Sequence, residues 1–429
     1  MFKLFSSSII HKSIINESRI LFKRNLLTKP TKWSSDNTKP LSQFIGKELK
    51  EGEAIQLNKV QILSLLSSKD DCLIDSLLIH ANSITESSFG NLIKPMGISF
   101  VSNVCERNCK HCLNRRENLD NQRFMMTNNN VVEDAQFMYG NNINQICLES
   151  GELNVRNRAN WFCNIIKMIQ EQCRIGDIPM SVYLRQGAVP REFIDIYKES
   201  GMTGYICGLE NINEKRYEEY IVSGFLLGMK PQSLYKEVYG SIYKDLVTYK
   251  ESTKQSIELD NYINKTIKQY ITPSSFLEIE KEAEETINND IYENISYLQK
   301  LNIKGINIDI YSPTRGTPCY SPLIYHDLDS YFSSMYIKLL KTVAILRCLY
   351  KDIDIYTSPF HNIRNDYGCY LVMLSGANCL FSLAGEQWTK QYNYFMDECP
   401  SPFPPADQLY IDKYHCTLAK KELDTSNML

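Results

Sequence analysis

The stretch GISFVSNVCERNCKHC, residues 97–112, places a loop with three cysteines directly after a short apolar run. The run GISFV predicts a buried β-strand. Cys105, Cys109 and Cys112 follow it with the spacing CxxxCxxC, so three thiolates are available to one compact metal centre. Iron–sulfur clusters are ordinarily held by four thiolates, and three therefore predict a four-iron cluster with one iron open to a small molecule.

A single zinc ion is the main alternative for this loop. Zinc sites usually combine CxxC pairs with a second, distant pair of Cys or His, and no such pair follows, although His111 lies inside the loop. A disulfide framework is a weaker alternative, because a chain of 429 residues can build a core without disulfides. The other cysteines are scattered, so we expect buried thiols in a reducing compartment.

Short apolar runs alternate with helical stretches from residue 95 onward, which is typical of a parallel βα barrel. The active sites of such barrels lie at the carboxyl ends of the strands, where the cysteine loop also lies. We therefore predict an α/β fold, a TIM-type (β/α)8 barrel. Its strands are predicted at 97–101, 143–148, 179–184, 204–207, 223–228, 305–310, 353–357 and 379–383, with helices that include 160–172, 191–199 and 330–349.

The remaining segments flank or interrupt this predicted barrel, which spans residues 94–390. Residues 36–93 are predicted to form a linker and N-terminal helices, with two short helices between 58 and 87. Residues 232–285 are polar and lack a clear strand, so we interpret them as a helical or disordered insertion. Residues 391–429 form a C-terminal extension.

The first 35 residues carry seven Lys and Arg against the single acid Glu17, with many serines and leucines. This composition is typical of a mitochondrial-type transit peptide, and a disordered basic tail is the alternative. We therefore expect the matrix of a mitochondrion or of a hydrogenosome-like organelle. The net charge of −3 gives no sign of a nucleic-acid partner, and no apolar run is long enough to predict a membrane span.

The run SNVCERNCKHCLNRRENLDNQRFMMT, residues 102–127, resembles the cluster region of the radical S-adenosylmethionine (SAM) superfamily. Within it, the likeness is to the HydE family of [FeFe]-hydrogenase maturases, whose pattern is close to SNxCxxNCxYCGxRxxN followed by RxxMT. The resemblance implies that Cys105, Cys109 and Cys112 bind a [4Fe–4S] cluster, whose open iron chelates SAM. Reductive cleavage of SAM then yields a 5′-deoxyadenosyl radical. His111 replaces the aromatic residue of the pattern and is expected to pack on the adenine or the cluster.

Further segments of the chain also resemble this family and biotin synthase. LESGE (148–152) is similar to the family's QSGE, which implies that Ser150, Gly151 and Glu152 hold the SAM amino group. RQGAVPREFIDIYKESGM (185–202) resembles the family segment after the third strand, and Glu210 falls where a carboxylate contacts SAM. The chain departs from the pattern in having no Arg between Arg216 and Arg315 for the SAM carboxylate.

The resemblance implies a radical SAM enzyme of the HydE and biotin synthase group, acting on a small thiol-bearing or organometallic precursor of the hydrogenase diiron centre. An electron donor such as a ferredoxin, and other hydrogenase maturation proteins, are the implied partners. Tyr356 and His361 are candidate substrate-side residues. Biotin-synthase-like sulfur insertion, a methylornithine-synthase-like rearrangement and a catalytically inactive cluster-binding barrel stay open as alternatives.

Overall fold

The structure is a computed structural model that describes most of the chain from residue 32 onward. The described ranges are 32–153, 155–175, 178–187, 191–208, 264–271, 281–299, 304–310, 316–318, 328–357, 368–384, 412–414, 416–417, 419 and 421–424. The predicted strand at 223–228, Glu210, His361 and all but the end of the predicted transit peptide lie outside them.

Within these ranges, eight parallel strands close into a barrel, because the last of them pairs with the first. This arrangement confirms the predicted (β/α)8 fold. In order around the barrel, the strands are β1 (Leu92–Ser102), β2 (Gln145–Ser150), β5 (Ser181–Arg185), β6 (Met202–Gly208), β7 (Asn264–Ile271), β8 (Gly305–Ile310), β9 (Asp354–Thr357) and β10 (Cys379–Ala384). A small antiparallel hairpin, β3 (Arg174–Ile175) and β4 (Ile178–Pro179), lies apart from this sheet.

The interpretation of residues 232–285 as an insertion without a barrel element is wrong, because this segment contains the fifth barrel strand. Strand β7, Asn264–Ile271, pairs in parallel with β6 on one edge and with β8 on the other. A helix then begins at Lys281, inside the same segment. Lys265 and Lys268 make this strand polar in sequence, but pairing on both edges satisfies its backbone hydrogen bonds, and Thr266, Ile267 and Tyr270 favour extended structure.

Helices precede the barrel and connect its strands. Among the described residues, those before the barrel are α1 (Lys39–Ile45), α2 (Lys59–Ser67) and α3 (Asp71–Phe89). The last two confirm the predicted pair, although α3 is 19 residues long rather than short. Asp70 caps α3 by accepting from the amides of Cys72 and Leu73. The other helices within the described ranges are α4 (Asn128–Gly140), α5 (Val155–Gln172), α6 (Arg191–Glu199), α7 (Lys281–Leu298), α8 (Leu328–Leu349) and α9 (Gly368–Leu374).

Apolar side chains of the strands point alternately into the barrel, where they fill the interior, and outward, where they form an outer core under the helices. The inner cluster comprises Met96, Ile98, Cys147, Tyr183, Ile206, Tyr356, Cys379, Phe381 and Leu383, with Phe100 packed against it. On the outside, one cluster joins the sheet to α4–α6, and another joins it to the N-terminal helices and to α7–α9. The described part of the interior is therefore a largely apolar, packed core.

The end of the chain returns to the start of the barrel. Strand β11 (Glu422–Leu423) pairs with Leu92 and Ile93 of β1, and Ser382 Oγ donates to Asp412 Oδ2 at 2.6 Å. Among the described residues, no helix is both long and apolar enough to cross a bilayer.

Candidate metal centre at the barrel mouth

The three cysteines lie in one loop that begins at the carboxyl end of β1. Cys105, Cys109 and Cys112 are free thiols of intermediate exposure. The backbone turns between the last two, since the Cys112 amide donates to the Cys109 carbonyl at 3.3 Å. The Arg107 amide also points to Cys105 Sγ, at 3.4 Å. All three sulfurs therefore come from one short, turned segment.

A partly buried hydrogen-bond network holds this loop in shape. The Arg123 guanidinium donates to four backbone carbonyls, those of Asn103, Asn114, Arg115 and Asn118, at 2.5–3.2 Å. The Asn103 side chain accepts from the Phe124 amide at 2.7 Å and donates to the Gln122 carbonyl at 2.8 Å. A guanidinium can satisfy several carbonyls at once because its donors form a rigid fork. Arg123 and Asn103 thus brace the cysteine loop.

The segment that follows β2 directly contacts the cysteine loop at Gly151. The Gly151 amide donates to the Ser102 carbonyl at 3.2 Å, and the Glu106 amide donates to the Glu152 carbonyl at 2.8 Å. A Cβ atom on Gly151 would lie 2.4 Å from the Val104 carbonyl oxygen and 2.7 Å from the Cys105 Cβ. Only glycine leaves room for this approach, so the contact fixes the first cysteine against the Ser150–Glu152 segment.

Glu152 is paired with an arginine of the cysteine loop. Arg107 Nε donates to Glu152 Oε2, and each side chain is 25% exposed. Behind the carboxylate lies Gly187, where a Cβ would come within 2.0 Å of Glu152 Cγ. Gly187 has a φ of +79°, a conformation that suits glycine. One acidic and one basic group therefore lie side by side next to the first cysteine.

The pKa of the Cys105 thiol is raised to about 12, mainly by burial and further by the negative charges of Glu152 and Cys112. The metal-free chain therefore holds Cys105 as a thiol at neutral pH. A bound metal centre reverses this preference, because the cation stabilises the thiolate and its binding releases protons.

The three cysteines form a donor set that an iron–sulfur cluster can use. Among the described residues, no three Cys, His, Asp or Glu side chains converge on a point that one metal ion could occupy. The ligands of an iron–sulfur cluster bind different iron atoms, so they need not converge in this way. Three thiols on one braced loop, with Cys105 and Cys112 close enough to influence each other electrostatically, meet that requirement.

Comparisons with known proteins agree with this fold and loop. No family model matches the chain. The [FeFe] hydrogenase maturase subunit HydE of Thermotoga maritima is 28% identical over 169 residues, which cover 39% of this chain and 47% of HydE. The chain thus spans about half the length of this curated relative.

Solved structures with the same fold extend the likeness over most of the chain. The maturase HydG of Carboxydothermus hydrogenoformans superposes with a TM-score of 0.59 at 16% identity, covering 95% of this chain and 82% of HydG. Methylornithine synthase PylB gives a TM-score of 0.57 at 15% identity, covering 87% of this chain and 99% of PylB. At these identities the two structures show the shared fold. The predicted resemblance to the radical SAM superfamily is confirmed.

The other residues that the radical SAM resemblance pointed to fall in different places. Ser150 lies beside the cysteine loop, and its hydroxyl donates to the Gly151 carbonyl at 2.8 Å. His111 is partly exposed within the loop. Tyr356 is buried in the barrel interior, where its ring stacks on Phe381 at 4.7 Å between centroids. Glu210 and His361 lie outside the described residues.

The radical SAM motifs did not indicate two ion pairs that the structure brings to this end of the barrel. One is Arg107 with Glu152; the other is Arg185 with Glu149, on adjacent strands. No spacing in the sequence indicates either pair, since Arg107 and Glu152 lie 45 positions apart and Glu149 and Arg185 lie 36 apart.

Proposed function

We propose that this chain is a radical SAM enzyme that holds a [4Fe–4S] cluster through Cys105, Cys109 and Cys112 and cleaves SAM reductively. When bound, such a cluster supplies the electron for that cleavage. The observation that carries the proposal is the packing of Gly151 against Cys105, because it joins the cysteine loop to the segment expected to hold SAM.

The ion pair of Arg107 and Glu152 supports a SAM site at this position. The amino-acid end of SAM carries an ammonium and a carboxylate, and the pair offers one partner of opposite charge to each. Glu152 and the Ser150–Gly151 backbone would hold the ammonium, and Arg107 would hold the carboxylate. Arg107 would thus take the role of the arginine that the chain lacks between Arg216 and Arg315.

We extend the proposal to maturation of the [FeFe]-hydrogenase diiron cofactor, because the similar protein HydE is by name a hydrogenase maturase. A small-molecule precursor of that cofactor would be the substrate. A ferredoxin-like electron donor and other maturation proteins would be the partners. The basic composition of residues 1–35 supports import into the matrix of a mitochondrion or hydrogenosome-like organelle.

Anaerobic reconstitution with iron and sulfide tests the catalytic part of the proposal. After reduction with dithionite, the protein is expected to release 5′-deoxyadenosine from SAM. Cys109→Ala is expected to abolish that release, whereas Cys72→Ala, which alters an exposed thiol on α3, is expected to leave it unchanged. A reduced cluster that never cleaves SAM would instead indicate the inactive barrel.

The maturation role needs a separate assay. Apo-[FeFe]-hydrogenase is incubated with the other maturation proteins, with and without this chain, and hydrogen evolution is measured. The proposal predicts activity only when the chain is present and Cys109 is intact. Release of 5′-deoxyadenosine without any gain in hydrogenase activity would keep the radical SAM chemistry and reject the maturation role.

A further inference from the structure

Tyr205 on β6 holds the turn that follows β5 from outside the barrel. Its side chain is buried in the outer core under α4–α6, and it is the register partner of Leu184 on β5. The Tyr205 hydroxyl donates to the carbonyl of Gly187 at 2.7 Å. Gly187 stands two residues beyond the end of β5, so this hydrogen bond ties the turn at the barrel mouth to the neighbouring strand.

The turn at Gly187 forms the wall behind the Glu152 carboxylate. A Cβ on Gly187 would meet Cγ, Cδ and Oε1 of Glu152 well inside van der Waals contact. The side chain of Glu152 therefore lies directly against the Gly187 backbone, an approach that only glycine permits. A shift of this turn moves the surface against which the carboxylate packs.

The cysteine loop holds Glu152 from its other side. Arg107 Nε donates to Glu152 Oε2, and the Glu106 amide donates to the Glu152 carbonyl at 2.8 Å. The carboxylate is thus enclosed between the loop and the turn. Its orientation depends on both supports, and Tyr205 anchors the second of them.

The hydroxyl and the ring of Tyr205 have separable tasks. The ring packs in the apolar outer core together with residues such as Phe162 and Leu184. The hydroxyl makes the hydrogen bond to Gly187, which the surrounding low dielectric strengthens. Loss of the hydroxyl alone would therefore release the turn while leaving the packing of the core in place.

We propose that Tyr205 is a positioning residue for SAM, which orients the Glu152 carboxylate toward the SAM ammonium by fixing the turn at Gly187. This inference rests on the proposed function, in which Glu152 holds that ammonium. Tyr205 acts through Gly187 and Glu152 rather than on SAM directly. A carboxylate that is already fixed binds an ammonium more tightly than one that must first be ordered, because ordering costs conformational entropy.

Tyr205→Phe tests the proposal, because it removes the hydroxyl and keeps the ring. The affinity of the oxidised, anaerobically reconstituted protein for SAM is measured by equilibrium dialysis, and KM and kcat for 5′-deoxyadenosine release are measured after reduction. SAM binding is expected to weaken by about three- to tenfold, the range that corresponds to one hydrogen bond. KM should rise in the same proportion, whereas kcat and the iron content stay unchanged.

Tyr350→Phe is the matched control. It also removes a buried tyrosine hydroxyl, but Tyr350 directly follows α8, and its Oη has no hydrogen-bond partner among the described residues. This variant is expected to change neither the affinity for SAM nor KM.

Two measurements show whether Tyr205 acts through Glu152. In a Glu152→Gln background, adding Tyr205→Phe is expected to weaken SAM binding by less than about twofold, because the charge that Tyr205 orients is already gone. A SAM analogue without the amino group should bind equally to wild type and to Tyr205→Phe. A merely structural role of Tyr205 would weaken the analogue as well.

The inference is overturned if Tyr205→Phe binds SAM as tightly as wild type, if it weakens the analogue equally, or if its effect persists in full in the Glu152→Gln background. SAM binding that depends on Tyr205 without release of 5′-deoxyadenosine would reject only the radical SAM activity. Release with an unchanged KM in Tyr205→Phe would reject only the role of Tyr205. Wild-type protein that binds no SAM would reject both.

Discussion

Replacing Gly151 with alanine is expected to separate the cysteine loop from the segment that follows β2. The new Cβ would meet the Val104 carbonyl oxygen at 2.4 Å, the Cys105 Cβ at 2.7 Å and the Val104 carbonyl carbon at 2.9 Å. These are backbone and Cβ atoms, which lack the freedom of a flexible side-chain end. Bringing the closest contact to an ordinary distance requires a displacement of about 1 Å at Cys105 or at Gly151.

Such overpacking is expected to destabilise the protein by about 1–3 kcal/mol. A displacement of about 1 Å near a reacting centre lowers the rate by on the order of 10²-fold. The variant should therefore unfold at a lower temperature and release 5′-deoxyadenosine roughly a hundredfold more slowly. Iron content, thermal unfolding and product release are measured on the same anaerobic preparation.

Gly140→Ala is the matched control, because a Cβ at that position meets nothing within 4 Å. It should keep full iron content and product release. The proposed contact between loop and segment is refuted if Gly151→Ala matches Gly140→Ala in all three measurements.

Two further predictions concern the stability of the barrel rather than its chemistry. The fully buried Arg347 donates to five oxygens at 2.7–3.2 Å, namely the carbonyls of Gly376, Tyr350, Lys351 and Ile353 and Asn378 Oδ1. Arg347→Met leaves these acceptors without a donor, so it should lower the unfolding free energy by more than about 3 kcal/mol. Chemical denaturation measures this loss, and a loss no larger than that of Arg174→Met would contradict the prediction. Burial lowers the pKa of Lys341 from 10.5 to about 8 in the folded protein. Between pH 8 and pH 10.5 the unfolded chain therefore binds more protons than the folded protein, so the contribution of Lys341 to stability rises with pH across that window. The advantage of wild type over Lys341→Met should therefore grow by about 2–3 kcal/mol from pH 8 to pH 10.5, and a difference that does not vary with pH would refute the assignment.

The alternation of apolar runs with helical stretches was sufficient to predict the barrel, but not which segment forms its fifth strand. SGFLLG at 223–228 has the composition of a buried strand, whereas NKTIKQYI at 264–271 carries two lysines. The latter forms β7, because pairing with β6 and β8 outweighs a weak local preference. Strand assignment there depends on long-range partners that a local pattern does not contain.

In the candidate site, too, the sequence predicts the local features but not the contacts between distant residues. The cysteine spacing is local, so the loop and its place after β1 follow directly from the sequence. The pairing of Arg107 with Glu152 joins residues 45 positions apart and depends on the contact at Gly151, which no spacing rule predicts. The pairing of Glu149 with Arg185 depends on the register between β2 and β5, which becomes known only when the barrel is assembled.

Low-temperature EPR of the reduced, anaerobically reconstituted protein, with iron, sulfide and zinc quantified, tests the open-iron cluster most directly. The cluster assignment predicts about four irons and four sulfides per chain and a reduced-cluster signal that changes when SAM is added. Stoichiometric zinc in place of iron, or a cluster signal that SAM leaves unaltered, would contradict it.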